Sequence, residues 1–259
     1  MHLARTCLPF GPMAWILLGA VTAAVTAAEA AEQPQNATAA TPTIDLPLIA
    51  HWTFDEASGD ACADSGGHAW HAGMSPATTP LVRRRGLFGN ALLLSGSHLL
   101  RVSEQMPLAD PAGISFSAWA KPTELSSYRE IFRKEDGDDR VLFSFQNDGT
   151  ILSLGLNIGG YVECDAKITP ERVRDGRWHH CAATFDGRWM RVYLDGDEIG
   201  SLERPGAIRA GGSALGCIGS SNGGECFQGA LDDLRIYAGP LSALHIAQLY
   251  RQGLELIEQ

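Results

Sequence analysis

Residues 175–187 read Asp-Gly-Arg-Trp-His-His-Cys-Ala-Ala-Thr-Phe-Asp-Gly, and residues 192–196 close the region with Val-Tyr-Leu-Asp-Gly. An Asp-Gly pair marks each turn, because Gly reaches positive φ at little steric cost. The residues between these turns are rich in aromatic and β-branched types, as half-buried strands prefer. The region therefore predicts strand, turn, strand and turn, and with them an all-β fold.

The composition is that of a globular, exported domain and excludes several classes of partner. Of the 259 residues, 45% are hydrophobic and 19% are charged, which suits one large β domain with a proper core. The formal net charge is -10. Nucleic acids and anionic membranes attract basic surfaces, so neither is an expected partner.

The N-terminus has the pattern of a secretory signal peptide over residues 1–30. Arg5 supplies a positive start, residues 13–28 are uncharged and apolar, and Ala28-Glu29-Ala30 matches a small-residue cleavage site. The apolar run is shorter and richer in Ala than the roughly 20 strongly apolar residues of a stable membrane span. We expect cleavage, with an uncleaved anchor as the alternative, and a secreted, periplasmic or cell-surface protein with no stable membrane span.

The mature chain divides into a linker and one domain. Residues 31–46 are rich in Pro, Thr, Gln and Ala and predict a linker. Residues 47–259 alternate short strands with Gly-rich turns, which predicts a two-sheet antiparallel sandwich or jelly roll. Near the end, Ser242 is placed to cap a short helix that packs on the sandwich.

Seven segments, in order and spacing, resemble the laminin-G-like jelly-roll domains of the concanavalin A-like lectin/glucanase superfamily. They are residues 52–56, 64–66, 86–92, 116–122, 178–196, 227–237 and 241–250. The resemblance implies an all-β, two-sheet antiparallel jelly-roll sandwich with a short C-terminal helix. Domains of this kind bind sugars or proteins or serve as folded modules, and a subset of the superfamily are glycosidases or lyases.

One predicted strand, residues 163–167, can be compared with the catalytic strand of the superfamily's glucanases. Retaining glycosidases need two carboxylates about 5–5.5 Å apart, and the superfamily's glucanases carry a Glu-x-Asp-x-Glu strand. The nearest match is Glu163-Cys164-Asp165-Ala166-Lys167, in which Lys167 stands where the second catalytic Glu would be. A lysine cannot act as the acid partner, so we expect no catalytic residues and no enzyme activity.

The resemblance also implies one structural calcium ion, with oxygen ligands from near the first and last strands. The candidates in this chain are Asp55, Asp64 and Asp232. Carboxylate oxygens are the ligands that calcium prefers. The alternative is that Asp55 and Asp64 form turns and that Asp232 caps a turn or pairs with an arginine.

Four aromatic residues are the candidates for contacting a sugar. A sugar-binding platform needs an exposed ring beside polar groups. The family pattern places Trp52, Trp119 and Trp178 in the core. Those left open are Trp70, Tyr128, Tyr161 and Trp189. The alternative for each is packing against a loop.

Five cysteines remain after signal cleavage, and the oxidising environment of an exported protein allows them to form disulfides. Cys217 and Cys226 flank a loop on two apparent hairpin strands, and Cys164 and Cys181 lie on successive strands. Both pairs are candidate disulfides. The odd count leaves at least one cysteine, such as Cys62, unpaired or bonded between chains. The alternative is that some cysteines are buried free thiols.

Together these features predict a non-catalytic exported binding module for a carbohydrate or a cell-surface protein. A polysaccharide-degrading glycosidase or lyase of the same fold is the first alternative. A purely structural or assembly module is the second.

Overall fold

The computed structural model describes one compact unit over residues 43–74, 80–103, 105–108, 113–209 and 212–258. The predicted signal peptide and all of the predicted linker before residue 43 lie outside the described residues. Within the described ranges, no helix is long and apolar enough to cross a membrane.

The chain folds almost entirely into strands, numbered in chain order. They are β1 Leu48–Trp52, β2 Ala61–Cys62, β3 Ala72–Met74, β4 Val82–Arg85, β5 Asn90–Ser95, β6 Leu100–Val102, β7 Ile114–Glu124, β8 Arg129–Asp136, β9 Asp139–Gln146, β10 Ile151–Asn157, β11 Tyr161–Lys167, β12 His179–Phe185, β13 Trp189–Leu194, β14 Asp197–Glu203, β15 Cys217–Ile218 and β16 Gln228–Tyr237. Helix α1 is Pro170–Val173, and helix α2 is Ala243–Ile257.

The strands form two antiparallel sheets packed face to face. The first sheet has the order β14-β13-β12-β7-β16-β5-β4, with β1 also paired to β16. The second has the order β11-β10-β9-β8-β15-β6-β3-β2. The predicted all-β, two-sheet antiparallel jelly-roll sandwich with a C-terminal helix is confirmed.

The stretch that opens the sequence analysis occupies the middle of the first sheet. Its strand β12 pairs with β7 on one side and β13 on the other. Gly176, Gly187 and Gly196 have φ of 81°, 85° and 85°, which L-residues with a side chain rarely adopt. The Asp-Gly pairs therefore form the turns before β12, between β12 and β13, and after β13, as predicted.

Aromatic rings hold the two sheets together. Trp52 and Phe116 come from the first sheet, and Phe132 and Phe143 come from the second. Phe132 packs on Trp52 with ring centroids 6.2 Å apart and on Phe116 at 5.8 Å, and Phe116 also meets Phe143 at 5.9 Å. Burying each such ring contributes about 1.5–3 kcal/mol.

A second apolar cluster covers the outer face of the first sheet. It consists of Ala182, Tyr193, Tyr237, Leu241, Ile246 and Leu249, with Ile44, Leu46 and Leu48 packed at its edge. Helix α2 supplies two of these residues and is capped as predicted, since Ser242 Oγ accepts the His245 N–H at 3.2 Å. Ile44 and Leu46, which the sequence analysis assigns to the linker, are thus packed against the domain.

Helix α2 approaches the sheet most closely at Gly253. This residue is buried, and a Cβ placed on it would overlap the rigid indole of Trp119. The indole also stacks on Tyr250 of the same helix, with ring centroids 5.9 Å apart. A glycine in the helix interior is therefore required by packing, although it lowers helix propensity by about 1 kcal/mol relative to alanine.

We predict that Gly253→Ala destabilises the protein by about 1–3 kcal/mol, because the overpacking cost exceeds the gain in helix propensity. Urea unfolding followed by fluorescence measures the free energy of unfolding. The matched control is Gln252→Ala on the exposed side of the helix, expected to stay within about 0.5 kcal/mol of wild type. A Gly253→Ala protein more stable than wild type would contradict the packing argument.

Candidate functional site

The outer face of the second sheet carries several polar side chains that are buried or paired with one another, among them Glu130, Ser144 and Ser153. Alternation along β8–β11 sends one half of the side chains into the core and the other half outward. The core half includes Phe132, Phe143, Phe145, Leu152, Leu154 and Leu156. The outward half includes Arg133, Ser144, Ser153, Glu163 and Asp165, and Ser153 lies between Ser144 and Asp165 in the strand register.

A cleft of about 290 Å³ opens at β6, β15 and β8. Two loops border it, residues 212–215 and residues 220–225. The cleft is lined by Arg101, Arg133, Glu135, Ser213, Ala214, Leu215, Cys217, Ser221 and Asn222. Guanidinium, carboxylate, hydroxyl and amide groups thus converge on one small volume, close to the size range of ligand pockets.

Arg133 organises the cleft by binding three carboxylates. Its Nη1 lies 2.7 Å from Glu130 Oε1 and 2.6 Å from Glu225 Oε2, and its Nε lies 2.7 Å from Glu135 Oε2. Glu135 is also paired with Arg140. Burial raises the pKa of Glu130 to about 8, against the lowering effect of Arg133 and with a further rise from Glu225.

The loop between β15 and β16 forms the opposite wall. Arg101 Nε donates to Asn222 Oδ1 at 3.1 Å, which joins the loop to β6. Asn222 and Glu225 have φ of 56° and 50°, in the left-handed region that non-glycine residues rarely adopt. The loop therefore has a strained backbone, held by its side-chain contacts.

The carboxylates of this face are each held by other side chains. Glu163 accepts a hydrogen bond from the Tyr161 hydroxyl, and Asp165 accepts one from Ser153 Oγ at 2.6 Å. The closest pair is Glu130 and Glu225, which meet on Arg133. Glu130 is only 1% exposed, so a substrate cannot reach it as general acid.

The four aromatic candidates lie on separate elements. Trp70 lines an apolar cleft of about 260 Å³ with His68, Pro47 and Pro107. Tyr128 lies between β7 and β8 and is 43% exposed. Among the described residues, no ring contact joins any two of the four candidates.

The other two aromatic rings are covered by arginines. The Arg140 guanidinium lies over the Tyr161 ring, 4.5 Å from its centroid, and that of Arg191 lies 5.7 Å from the Trp189 ring. Cation–π contact of this kind occupies the face that a sugar would stack on. The structure thus places polar groups, not an aromatic platform, at the cleft beside Arg133.

Asp64 organises a loop with both of its oxygens. Oδ1 accepts the N–H groups of His51 and Gly66 at 2.8 and 2.7 Å, and Oδ2 accepts those of His68 and Trp70 at 3.3 and 3.1 Å. Burial opposes its ionisation, but these four donors outweigh burial and lower the pKa of Asp64. Asp64 thus makes the hydrogen bonds that the turn-forming alternative expects of it.

Asp55 and Asp232 both hold the turn between β4 and β5. Asp55 Oδ1 accepts the Asn90 N–H at 2.7 Å, and Asp232 Oδ2 accepts the N–H groups of Leu87 and Phe88 at 2.7 and 2.9 Å. The other oxygen of Asp232 is buried without a hydrogen-bond partner. Burial raises the pKa of Asp232 to about 7. In the described residues, no three His, Cys, Asp or Glu side chains are grouped to hold a metal, so further ligands would be carbonyls or water.

The structure forms neither predicted disulfide, and all five described cysteines are free thiols. Cys164 lies in the second sheet and Cys181 in the first, because the chain crosses between sheets after β11. Cys217 lies on β15 opposite Arg101 of β6 and Arg133 of β8, whereas Cys226 lies in the loop before β16 with its thiol on the His98 carbonyl. Consecutive strands are not neighbours at either point.

Sequence reasoning missed the residues of the cleft. The signal for Glu130, Arg133 and Glu135 was the charge density of one strand, residues 129–136. A bulge between Glu130 and Phe132 breaks the strand alternation there. Arg101 and Asn222 come from distant segments, and nothing in their local sequence joins them.

These features define a jelly-roll sandwich with a polar cleft on one sheet. The family profile Laminin_G_3, described as the concanavalin A-like lectin/glucanases superfamily, matches residues 94–247. The chain belongs to this family. It is also 29% identical over 191 residues to the adhesion G-protein coupled receptor V1 of Danio rerio. This match covers 67% of this chain and 3% of the receptor.

Solved structures share the fold at low identity. Domain 4 of AbnA, a GH43 extracellular arabinanase from Geobacillus stearothermophilus, in complex with arabinotriose, matches with a TM-score of 0.63 and 23% identity, covering 79% of this chain and 98% of that domain. The binding domain of Paraclostridial Mosquitocidal Protein 1 matches with a TM-score of 0.61 and 15% identity, covering 80% of this chain and 52% of that one.

We predict that Asp64→Ala destabilises the protein by about 2–4 kcal/mol, because four backbone N–H groups lose a charged acceptor. The pKa of Asp64 is lowered on folding, so its contribution is present above 3.8 and is lost as the pH falls through the lower folded pKa. The stabilities of wild type and Asp64→Asn in urea unfolding should therefore begin to converge only as the pH falls below 3.8. The control Asp60→Ala changes an exposed residue of the preceding turn. An unchanged stability in Asp64→Ala would contradict the assignment.

Proposed function

We propose that this chain is a non-catalytic, exported binding module that holds a short carbohydrate in the cleft beside Arg133. The observation that carries the proposal is the convergence of donors and acceptors on one cleft, from Arg101, Glu135, Ser221 and Asn222. Sugar hydroxyls both donate and accept hydrogen bonds, so a mixed lining of this kind suits them. The signal-peptide pattern of residues 1–30 supports export.

The lining also indicates a type of sugar. The described residues around the cleft include no aromatic side chain, so a flat pyranose face has no ring to stack on. Recognition would then rest on hydrogen bonds to the hydroxyls, as suits a short oligosaccharide of furanose rings. The AbnA domain that shares the fold was solved with arabinotriose, which makes that trisaccharide the first probe.

A cell-surface protein is the second candidate partner. The relative named as an adhesion receptor favours it, as does a botulinum neurotoxin binding domain solved with rat synaptotagmin II at a TM-score of 0.60. An enzymatic role is disfavoured by the burial of Glu130. A purely structural module would leave the cleft without a ligand.

We predict that arabinotriose binds the wild-type protein and that Arg101→Ala or Asn222→Ala weakens binding about fivefold or more, because a polar contact in a cleft is worth about 1–3 kcal/mol. Isothermal titration calorimetry measures the dissociation constant, with cellotriose as the stacking-dependent comparison. The control is Arg84→Ala, an exposed residue of β4 in the other sheet.

Two results would overturn the carbohydrate proposal. Equal binding by wild type and both cleft variants would place the ligand elsewhere, and absence of binding on a broad glycan array would favour the protein partner. Release of shorter sugars from a polysaccharide would contradict the non-catalytic assignment.

We further propose that Asp55 and Asp232 bind calcium and that Asp64 does not. Added calcium should raise the melting temperature of EDTA-treated protein by mass action. Asp232→Asn should abolish this rise, and Asp64→Asn should keep it. Because the pKa of Asp232 is raised to about 7, calcium binding near neutral pH should release a proton, which calorimetry in two buffers detects. An unchanged melting temperature at millimolar calcium would contradict the proposal.

A further inference from the structure

The loop of residues 219–226 is fastened to the second sheet at Glu225. The Glu225 carbonyl accepts the Glu130 N–H at 3.0 Å. The Glu225 carboxylate binds Arg133 Nη1 at 2.6 Å. The same loop supplies two of the side chains that line the cleft, so the shape of the cleft depends on this attachment.

The loop stays closed against a backbone cost. Asn222 and Glu225 both have positive φ, and a non-glycine residue in that region costs about 1 kcal/mol or more. Such conformations persist only where side-chain contacts hold them. A change in the ion pairs of Glu225 is therefore able to shift the balance between closed and open loop.

Glu130 and Glu225 compete for one guanidinium nitrogen. Glu130 Oε1 lies 2.7 Å from Arg133 Nη1, the atom that Glu225 also binds. Glu130 is 1% exposed, and its Oε2 is buried with no hydrogen-bond partner. Glu225 is partly exposed, so the cost of ionising both carboxylates falls on the buried Glu130, which favours holding a proton.

The neighbouring charges do not remove this competition. Arg133 and Glu225 act directly on Glu130. The other titratable and charged groups on the neighbouring elements are Arg129 and Glu135 on β8, Arg140 on β9, Arg101 on β6, Cys217 on β15 and Cys226 on the loop. Arg140 pairs with Glu135, and Arg129 pairs with Glu124. Glu130 and Glu225 thus meet chiefly on Arg133.

We propose that residues 219–226 form a pH-dependent wall of the cleft, closed while Glu130 holds a proton and opened as that proton is lost. The effect on ligand binding rests on the proposed function, whereas the movement of the loop does not. The cleft then holds its ligand more tightly in mildly acidic than in alkaline solution.

The direction follows from proton linkage. In the open loop Glu130 meets water, and its pKa returns to the ordinary value of about 4.3. In the closed loop its pKa is raised to about 8. The advantage of the closed loop is full below the ordinary pKa, falls as the pH rises towards the raised one, and is constant above it. One proton limits the change to about tenfold per pH unit.

Hydrogen exchange of the ligand-free protein tests the movement of the loop. The reporter is the Glu130 amide, which donates to the loop, and the reference is the Ile168 amide, which follows the edge strand β11 and donates to Thr150. Between about pH 5.5 and pH 8, after correction for intrinsic exchange, the Glu130 opening constant should rise by up to about tenfold per unit. The Ile168 constant should not follow it.

Glu130→Gln mimics the protonated acid and should abolish this rise. The matched control Glu163→Gln, a carboxyl on the same face bound to Tyr161 instead of Arg133, should keep it. If Glu130→Gln fails to fold, a carbon-13 titration of the Glu130 carboxyl in wild type decides. An ordinary titration below pH 5, or a pH-independent Glu130 amide, overturns the proposal.

Arabinotriose titrations at about pH 5.5 and about pH 8 separate the two proposals. Weaker binding at the higher pH, abolished in Glu130→Gln, supports both. A loop that opens with pH in a protein that binds no sugar supports the moving wall and overturns only the carbohydrate assignment. Equal affinity at both pH values, in a protein that binds, overturns the link between wall and ligand.

Discussion

Aromatic packing between the two sheets is the constraint on which the rest of the structure depends. Phe132 lies between Trp52 and Phe116, so three strands from two sheets meet on one ring. Because strand residues alternate, holding Phe132 in the core also directs Arg133 outward. The polar cleft is therefore the reverse side of the hydrophobic seam, and a one-residue slip of β8 would destroy both.

Buried acids give this sandwich its loop structure. Asp64 binds four backbone N–H groups of its own loop and β1, and Asp232 binds two of the turn between β4 and β5. In each case the carboxylate replaces water for donors that no strand partner satisfies. Glu130 differs, because it shares the guanidinium of Arg133 with a second carboxyl group, that of Glu225. The first two acids hold their loops in place, whereas the third makes its loop responsive to protons.

Local pattern predicted the fold well and the site poorly. The Asp-Gly turns and the strand alternation around Cys181 depend on neighbouring residues, which a sequence displays directly. The disulfides failed because the chain passes from one sheet to the other after Cys164 and again after Cys217, and strand order in a jelly roll is a tertiary property. The cleft was missed because it joins Arg101 to Asn222, 121 residues apart, around a bulge that local alternation does not describe.

The covering of the first sheet has a consequence for how the domain can be attached to anything else. Ile44 and Leu46, where the described chain begins, pack beside Ile246 and Leu249 of the terminal helix. Entry and exit thus share the outer side of the first sheet, with the whole thickness of the sandwich between them and the cleft. A tether joined at either end of the domain would leave the side that carries the cleft facing away from the anchor.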